Sequence, residues 1–183
     1  MAYDRKKLYI LDGYNIIRSG NRYKKDSAND YTQDFFNLAR EKLINDVQNF
    51  VDRNSQAIIV FDGGNNPVSD GTPEKIGGVR VIFSPANTTA DKVIEKLARQ
   101  ARNRNQETIV ISSDAAIQDT VFGGGIDRMS ANNFSWEVDF DHQERLLDAK
   151  VQVNTKNTLA QRIDATTLAK LQALRDGNSS SKK

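Results

Sequence analysis

The sequence contains no cysteine and only one histidine, His142. The lack of cysteine excludes disulfides, thiolate nucleophiles and cysteine-ligated zinc or iron–sulfur centres. One histidine cannot form a histidine-rich metal centre, so we expect any bound metal to be a hard cation on oxygen ligands, such as Mg²⁺ or Mn²⁺. Because His142 lies in a predicted helix far along the chain, it is assigned no catalytic role.

Long apolar segments are also missing. No run approaches the roughly 18 apolar residues that a membrane span requires. The N-terminal "MAYDRKKLYIL" lacks the apolar length and the small-residue cleavage site of a signal peptide. A content of 38% hydrophobic and 27% charged residues in 183 residues is typical of one folded domain with a sizeable core. We therefore expect a cytoplasmic protein with no membrane partner.

Positive charge is unevenly distributed. The net charge of +2 is too small to indicate a nucleic-acid partner by itself. Crowding of basic residues near the N-terminus is one pattern of a phosphate-binding surface. A solvated surface explains such crowding equally well. The crowded residues are Arg5, Lys6, Lys7, Arg18, Arg22, Lys24 and Lys25.

Short apolar runs rich in β-branched residues alternate with helical patterns. The runs are typical of strands covered on both faces, and they are "KLYILD" (7–12), "AIIVFD" (57–62), "VRVIFS" (79–84) and "TIVISSD" (108–114), with "DRMSA" (127–131) as a fifth candidate. Helical periodicity covers 34–53, 89–104, 114–122 and 132–150. This alternation predicts an α/β fold: a three-layer domain whose mostly parallel central sheet is flanked by helices. The glycine-containing stretch 63–78 lacks a helical pattern, so the third strand lies at an edge or is paired differently.

The domain boundaries follow from the same patterns. We assign 1–150 to one domain, 151–177 to a linker followed by a C-terminal helix packed on or beside it, and 178–183 to a disordered tail. The polar segment 151–157 is the expected linker. The helix at 132–150 is expected to bury Phe134, Val138 and Leu146 or Leu147. Trp136 is expected to pack against the sheet, with an exposed patch as the alternative.

Aspartates fall at related positions along the chain. Asp12, Asp62 and Asp114 each close a predicted strand, and Asp91 lies in the first turn of the helix after the third strand. Since the carboxyl ends of parallel strands share one edge of a sheet, these carboxylates are expected to converge there. Repulsion raises their pKa values unless a cation neutralises them. A magnesium ion held by one or two carboxylates, water and substrate phosphate would stabilise such a cluster.

Each acid also has a purely structural explanation. Asp114 can cap the following helix, Thr88 with Asp91 resembles a capping box, and Asp62 before two glycines fits ordinary turn chemistry. Tyr14 is expected to pack under a neighbouring helix rather than stack on a base. The placement of all the acids at one predicted edge favours a functional site.

Several segments then match a known family in series: "ILDGYNII", "AREKLI", "IIVFDGG", "VRVIFSPANTTADKVIEKL", "IVISSDAAIQ" and "DRMSANNFSWEV". In this order the sequence resembles the YacP/NYN-domain family of PIN-like ribonucleases from about Leu8 to Val138. "IDATTLAKLQALRDG" resembles the C-terminal helix of that family. The resemblance implies a PIN-like Rossmannoid fold and metal-dependent cleavage of RNA. Its described relatives are bacterial endoribonucleases that act on mRNA in association with the ribosome.

The resemblance also implies roles for particular residues. Asp12, Asp91 and Asp114 match the family's metal-binding positions, Asn15 would orient one of them, and Asp62 is a further candidate ligand for Mg²⁺ or Mn²⁺. The candidate RNA-binding residues are Arg18, Arg22, Lys24, Lys25, Arg40 and Gln118.

Two of these candidates carry open alternatives. Arg40 would contact phosphate, pair with an acid of the cluster, or form a surface salt bridge on its own helix. Gln118, one turn beyond Asp114, would touch the substrate or only the sheet edge.

The sequence favours a metal-dependent endoribonuclease, with two rivals. One is a non-catalytic PIN-like module that binds RNA or the ribosome, against which the retained carboxylates argue. The other is a phosphoaspartate protein, because those also place aspartates at strand ends. The phosphoaspartate alternative lacks support, since phosphatases of that kind need a D-x-D motif and Asp12 is followed two residues later by Tyr14.

Overall fold

A computed structural model describes residues 6–25, 31–64, 69–121 and 123–162, with the backbone alone described for 151–162. The chain divides after Phe140 into two compact units. The strands are β1 (Lys7–Asp12), β2 (Ser55–Phe61), β3 (Glu74–Ile76), β4 (Val79–Phe83), β5 (Thr108–Ile111) and β6 (Ile126–Met129). The helices are α1 (Gly13–Ser19), α2 (Gln33–Phe50), α3 (Ala90–Asn103), α4 (Ala115–Val121) and α5 (Ala131–Arg162).

The strands form one sheet in the order β3-β4-β2-β1-β5-β6. All neighbouring pairs are parallel except β3 and β4, which form an antiparallel hairpin at the edge. Gly77 and Gly78, with φ of +55° and +96°, connect these two strands, as a tight hairpin turn with two left-handed residues requires. The predicted α/β fold is confirmed, and the third predicted strand lies one position inside the edge because β3 covers it.

Helices cover both faces of the sheet because successive strand residues point to opposite sides. Along β1, Leu8 and Ile10 belong to one core cluster and Leu11 to the other. The first face packs against α3 and α4 through residues such as Ile94 and Ile117. The second face packs against α1, α2 and the start of α5, with Ile16, Ile17, Leu43, Val47, Phe134 and Val138 buried.

The short helix α1 was not predicted and begins directly after β1. Asp12 is its N-cap residue and accepts a hydrogen bond from the backbone N–H of Asn15 at 3.3 Å. The turn brings the backbone of Gly13 against the Phe61 ring, where an added Cβ would lie 2.2 Å from Cε1. The close approach therefore requires glycine at this position.

The C-terminal part differs from the expectation. Residues 151–157, predicted as a linker, are helical within α5, and the first compact unit ends at Phe140 rather than at residue 150. A polar composition marked this segment as a linker, but a long polar helix has the same composition. The predicted helix at 164–177 and the tail at 178–183 lie outside the described residues.

Burial along α5 confirms two of the expected inward residues and contradicts the others. Phe134 and Val138 are buried, whereas Trp136 is 66% exposed and Leu146 and Leu147 are 50% and 61% exposed. Trp136 follows Phe134 by two positions, and residues two apart do not share a face of a helix. Of the helices in the described ranges, none is long and apolar enough to cross a membrane.

Candidate active site

A cleft of about 820 Å³ lies at the carboxyl edge of the sheet. Its acidic side is formed by Asp12 at the end of β1, by residues that follow β2 and β5, and by the first turn of α3. Its other side is formed by α1 and α2. The cleft brings together all of the sequence-predicted carboxylates, Asp12, Asp62, Asp91 and Asp114, with Asn15, Arg18 and Arg40.

Asp12 is the most buried of these acids, with 7% of its surface exposed. Burial raises the pKa of Asp12 to about 6, and the nearby charges of Asp91 and Asp114 act in the same direction. Hydrogen bonds from the Asn15 backbone N–H and the Ser112 hydroxyl oppose this rise, because they stabilise the carboxylate. Asp12 is thus held by donors while its charge is disfavoured by its surroundings.

Ser112 connects two of the acids and was not among the predicted site residues. Its fully buried Oγ donates to Asp12 Oδ2 at 3.1 Å and accepts from the backbone N–H of Asp114 at 3.1 Å. Asn15 adds a second connection, since its Oδ1 accepts from the N–H of Ser113 at 2.8 Å. The available signal was the position of Ser112 between the apolar run of β5 and Asp114. These bonds fix the loop after β5 against the end of β1.

Asp62 and Asp114 also have the structural roles considered for them. Asp62 Oδ1 accepts from the N–H of Gly64 at 2.8 Å, and its Oδ2 accepts from the N–H of Ala90, the first residue of α3, at 3.3 Å. Asp114 Oδ1 accepts from the N–H of Ala116 at 2.8 Å. Both side chains therefore stabilise local backbone while lining the cleft, so the two interpretations are compatible.

Asp91 lies in the first turn of α3 with its side chain exposed to the cleft. Partial burial raises its pKa, and the charges of Asp114, Asp62 and Glu95 raise it further. The capping box expected from Thr88 is not formed. Thr89 is the N-cap residue, and its hydroxyl accepts from the Lys92 N–H at 3.4 Å. Asp91 is therefore not needed to begin the helix.

The donor set fits a hard divalent cation, since it consists of carboxylates whose ionisation is mutually unfavourable. Within the described ranges, however, no group of three or more His, Cys, Asp or Glu side chains is placed to hold an ion between them. The arrangement is therefore not a pre-formed protein cage. It fits Mg²⁺, which in proteins is usually held by one or two carboxylates and completed by water and substrate oxygens.

Arginines and aromatic rings form the side of the cleft that faces the acids. Arg40 Nη1 donates to the Tyr14 hydroxyl at 2.7 Å, and its guanidinium lies 5.7 Å from the Phe83 ring centroid. Arg18 lies over the rings of Tyr14 and Phe36 at 5.8 and 5.4 Å. In the described part of the chain neither arginine has a carboxylate within 4.0 Å, so both expected ion pairs of Arg40 are absent. Their contacts leave both positive charges available to an anion.

Tyr14 packs as expected under a neighbouring helix. Its ring makes edge contacts with Phe36 of α2 and Phe61 of β2, at centroid distances of 5.4 and 5.1 Å. It lines the cleft as well. Its hydroxyl therefore positions Arg40 from a ring that is held in the core.

Among the predicted RNA-binding residues, Arg22, Lys24 and Lys25 lie outside the cleft, as does Gln118. Arg22 donates from Nε and Nη2 to Asp46 at 2.8 and 3.0 Å and also pairs with Asp139. These carboxylates already neutralise the positive charge of Arg22, and the two ion pairs connect the loop after α1 to α2 and α5. Lys24 and Lys25 line a separate, smaller concavity.

Gln118 has a contact that favours one of its alternatives. Its side-chain amide donates to the backbone carbonyl of Ser112, at the end of β5. It therefore contacts the sheet edge, and it is not among the residues that line the cleft.

The mostly parallel sheet with aspartates along its carboxyl edge agrees with a PIN-like fold of the NYN type, which the structural match reported below supports. The model of the YacP-like NYN domain matches residues 9–176, and the chain belongs to this family. It is 31% identical over 159 residues to the uncharacterized protein YacP of Bacillus subtilis (strain 168), covering 85% of this chain and 88% of that protein.

Crystal structures give the same assignment. The structure of Rae1 (YacP) from Bacillus subtilis matches with a TM-score of 0.61 and 29% identity, over 96% of this chain and 98% of that one. The structure of a point mutant of Rae1, in which leucine replaces a tryptophan, matches with a TM-score of 0.60 and 32% identity, over 81% and 82% of the two chains. The family resemblance found in the sequence is therefore confirmed, and an NYN domain suggests nuclease activity on RNA.

Proposed function

We propose that this protein is a metal-dependent endoribonuclease that hydrolyses RNA phosphodiester bonds in the cytoplasm. Messenger RNA associated with the ribosome is the proposed substrate, following the family resemblance. The observation that carries the proposal is the cleft itself, where acids face two arginines that have no carboxylate partner among the residues the structure describes. Such a site attracts phosphate on one side and a divalent cation on the other.

We assign the cation, Mg²⁺ or Mn²⁺, to Asp12, Asp91 and Asp114, with Asp62 as a supporting carboxylate. When bound, the ion lowers the pKa of a water molecule and stabilises charge on the phosphate oxygens. Binding would also remove the repulsion that raises the pKa values of Asp12 and Asp91. Ser112 and Asn15 keep the loop that carries Asp114 in register with Asp12.

Arg18 and Arg40 are assigned to phosphate binding. Guanidinium groups recognise phosphate oxygens through paired N–H donors, and both groups are positioned by aromatic rings. We keep Lys24 and Lys25 as contacts for RNA outside the cleft. Arg22 is assigned to the ion pairs that it forms, and Gln118 to the end of β5.

A non-catalytic RNA- or ribosome-binding module is the second candidate. It is favoured by one observation: in the described ranges, no three carboxylates are already placed to share an ion. In that case the acids would serve only as turn and cap residues, as Asp62 and Asp114 do.

Cleavage of a labelled single-stranded RNA separates the two candidates. We expect cleavage in Mg²⁺ or Mn²⁺ and none in EDTA. Asp91→Asn removes one charge at constant shape. Mutation of a residue that hydrogen-bonds to a metal ligand typically lowers metal affinity or activity about 10–100-fold. Loss of the ligand itself should therefore lower the cleavage rate at least about 100-fold. Asp127→Asn, the same change at an exposed position of β6, is the matched control and should cleave at the wild-type rate.

The outcomes are distinct. RNA binding without cleavage under any metal condition would establish the binding module and refute the nuclease. Cleavage by Asp91→Asn at the wild-type rate would refute the assignment of this carboxylate and, with it, the site.

A further inference from the structure

A second concavity, of about 580 Å³, lies at the amino-terminal edge of the sheet. Basic residues from four places in the chain line it: Lys6 before β1, Arg53 before β2, Lys75 on β3 and Arg80 on β4, here called the basic patch. All are exposed. Because Lys6 and Asp12 lie at opposite ends of β1, the patch is about 20 Å from the acidic cleft at 3.3 Å per residue.

The charges of the basic patch are not neutralised within the described part of the chain. None of the four side chains has a carboxylate within 4.0 Å there. Lys6 Nζ donates to the Arg53 carbonyl at 3.3 Å, and Arg80 Nη2 donates to Gln56 Oε1 at 3.4 Å. Both acceptors are uncharged, so these bonds orient the cations without reducing the local positive potential.

One acid also lines this concavity, but it has a local role. Asp52 Oδ1 accepts from the backbone N–H of Asn54 at 2.8 Å, in the turn that leads into β2. The lining therefore has a clear excess of positive charge, whereas the whole chain has a net charge of only +2.

The hairpin register makes this concentration of charge unfavourable for the isolated protein. Lys75 and Arg80 are directly opposite each other in the antiparallel pairing of β3 with β4. Cross-strand neighbours of like charge destabilise a sheet. A lysine on an edge strand protects against edge-to-edge association, which explains Lys75 alone. It does not explain why Arg80, Lys6 and Arg53 line the same concavity.

We propose that the basic patch binds the phosphate backbone of RNA, at a segment other than the one in the acidic cleft. A polyanion would neutralise the clustered cations and release its counterions, which is the main source of sequence-independent affinity for nucleic acids. This inference rests on the proposed function only in taking RNA as the ligand. It assigns the patch a part in holding long RNA and none in the chemistry.

The test is equilibrium binding of a labelled single-stranded RNA of roughly 30 nucleotides, about twice the largest site of a single-strand-binding fold. Binding is measured in EDTA, so that no cleavage occurs. Lys75→Gln with Arg80→Gln should weaken binding about ten-fold near physiological salt and reduce the slope of log K against log salt by about 1.4, since each contact contributes about 0.7. Lys75→Arg with Arg80→Lys should bind like wild type, because it keeps both charges.

A charge-matched control separates the patch from net charge. Lys96→Gln with Arg99→Gln removes the same charge from exposed positions on α3, where neither cation has a carboxylate within 4.0 Å in the described part of the chain. If this control weakens binding as much as the patch variant does, or if the patch variant binds like wild type, the proposal is overturned. Cleavage of a short RNA in Mg²⁺ is measured in parallel, and its failure would refute the nuclease while leaving the binding result to decide on the patch.

Discussion

Asp12→Asn is expected to make the metal-free protein more stable while abolishing its proposed activity. The side chain is buried next to two other acids, so the folded protein disfavours its ionised form. An amide has nearly the same shape and no charge. Its oxygen can still accept the backbone N–H of Asn15. The substitution should therefore remove an electrostatic cost and keep the local fold.

The magnitude follows from the pKa of Asp12, which rises from 3.8 to about 6 on folding. Because the folded value is the higher one, stability is greatest when the group is protonated and is lost as the pH rises through the folded value. Above both values the loss amounts to about 3 kcal/mol. The hydrogen bond from the Ser112 hydroxyl to the carboxylate is already included in this pKa, so it is not subtracted again. The expected net stabilisation is therefore about 3 kcal/mol near neutral pH.

Urea unfolding in EDTA at about pH 7.5 and pH 4 measures this difference. The gain should be present at the higher pH and nearly absent at the lower one, where wild-type Asp12 is protonated in the folded state. Adding Mg²⁺ should stabilise wild type more than the variant, since a bound ligand stabilises the folded state. Asp127→Asn is again the control. A variant that is less stable than wild type at the higher pH, or a difference that does not change with pH, would refute the reasoning.

Further predictions concern packing and ion pairs, all measured by urea unfolding. Gly13→Ala should cost about 1–3 kcal/mol, because its Cβ would overlap the Phe61 ring; an unchanged midpoint would contradict this. Phe134→Ala should cost about 3–5 kcal/mol, whereas Trp136→Ala should cost less than about 0.5 kcal/mol; similar costs would show that the exposure of α5 is misassigned. Arg22→Met should lower the free energy of unfolding by about 3 kcal/mol, since it leaves the mostly buried carboxylate of Asp46 without its cation. Unchanged stability would refute a structural role for this ion pair.

The sequence predicted the strands whose residues show a clear pattern of burial. The runs at 7–12, 57–62, 79–84 and 108–114 all contain strands, because a strand covered on both faces must be apolar throughout. It could not predict β3, which is three residues long and exposed, so its sequence has no burial pattern. Nor did it predict α1, because this helix begins directly after β1 with no loop between them to mark a new element.

The candidate site divides in the same way. Aspartates at strand ends could be placed at one edge from the chain alone, since parallel strands share a direction. Ser112 could not be recognised as a link between Asp12 and Asp114, because its hydrogen bond to Asp12 joins residues 100 positions apart in the chain. For the same reason the sequence predicts an RNA contact at Arg22, although carboxylates remote in the chain, on α2 and α5, neutralise its charge.

By itself, then, the sequence determined the α/β class, the family and the edge at which the acids lie, because these depend on periodicity, strand direction and short motifs. Only the tertiary structure decided how the acids are held, which arginines keep an available charge, and that a basic patch occupies the opposite edge. Those properties depend on distances and on burial between segments that are remote in the chain, and no local pattern of residue types contains them.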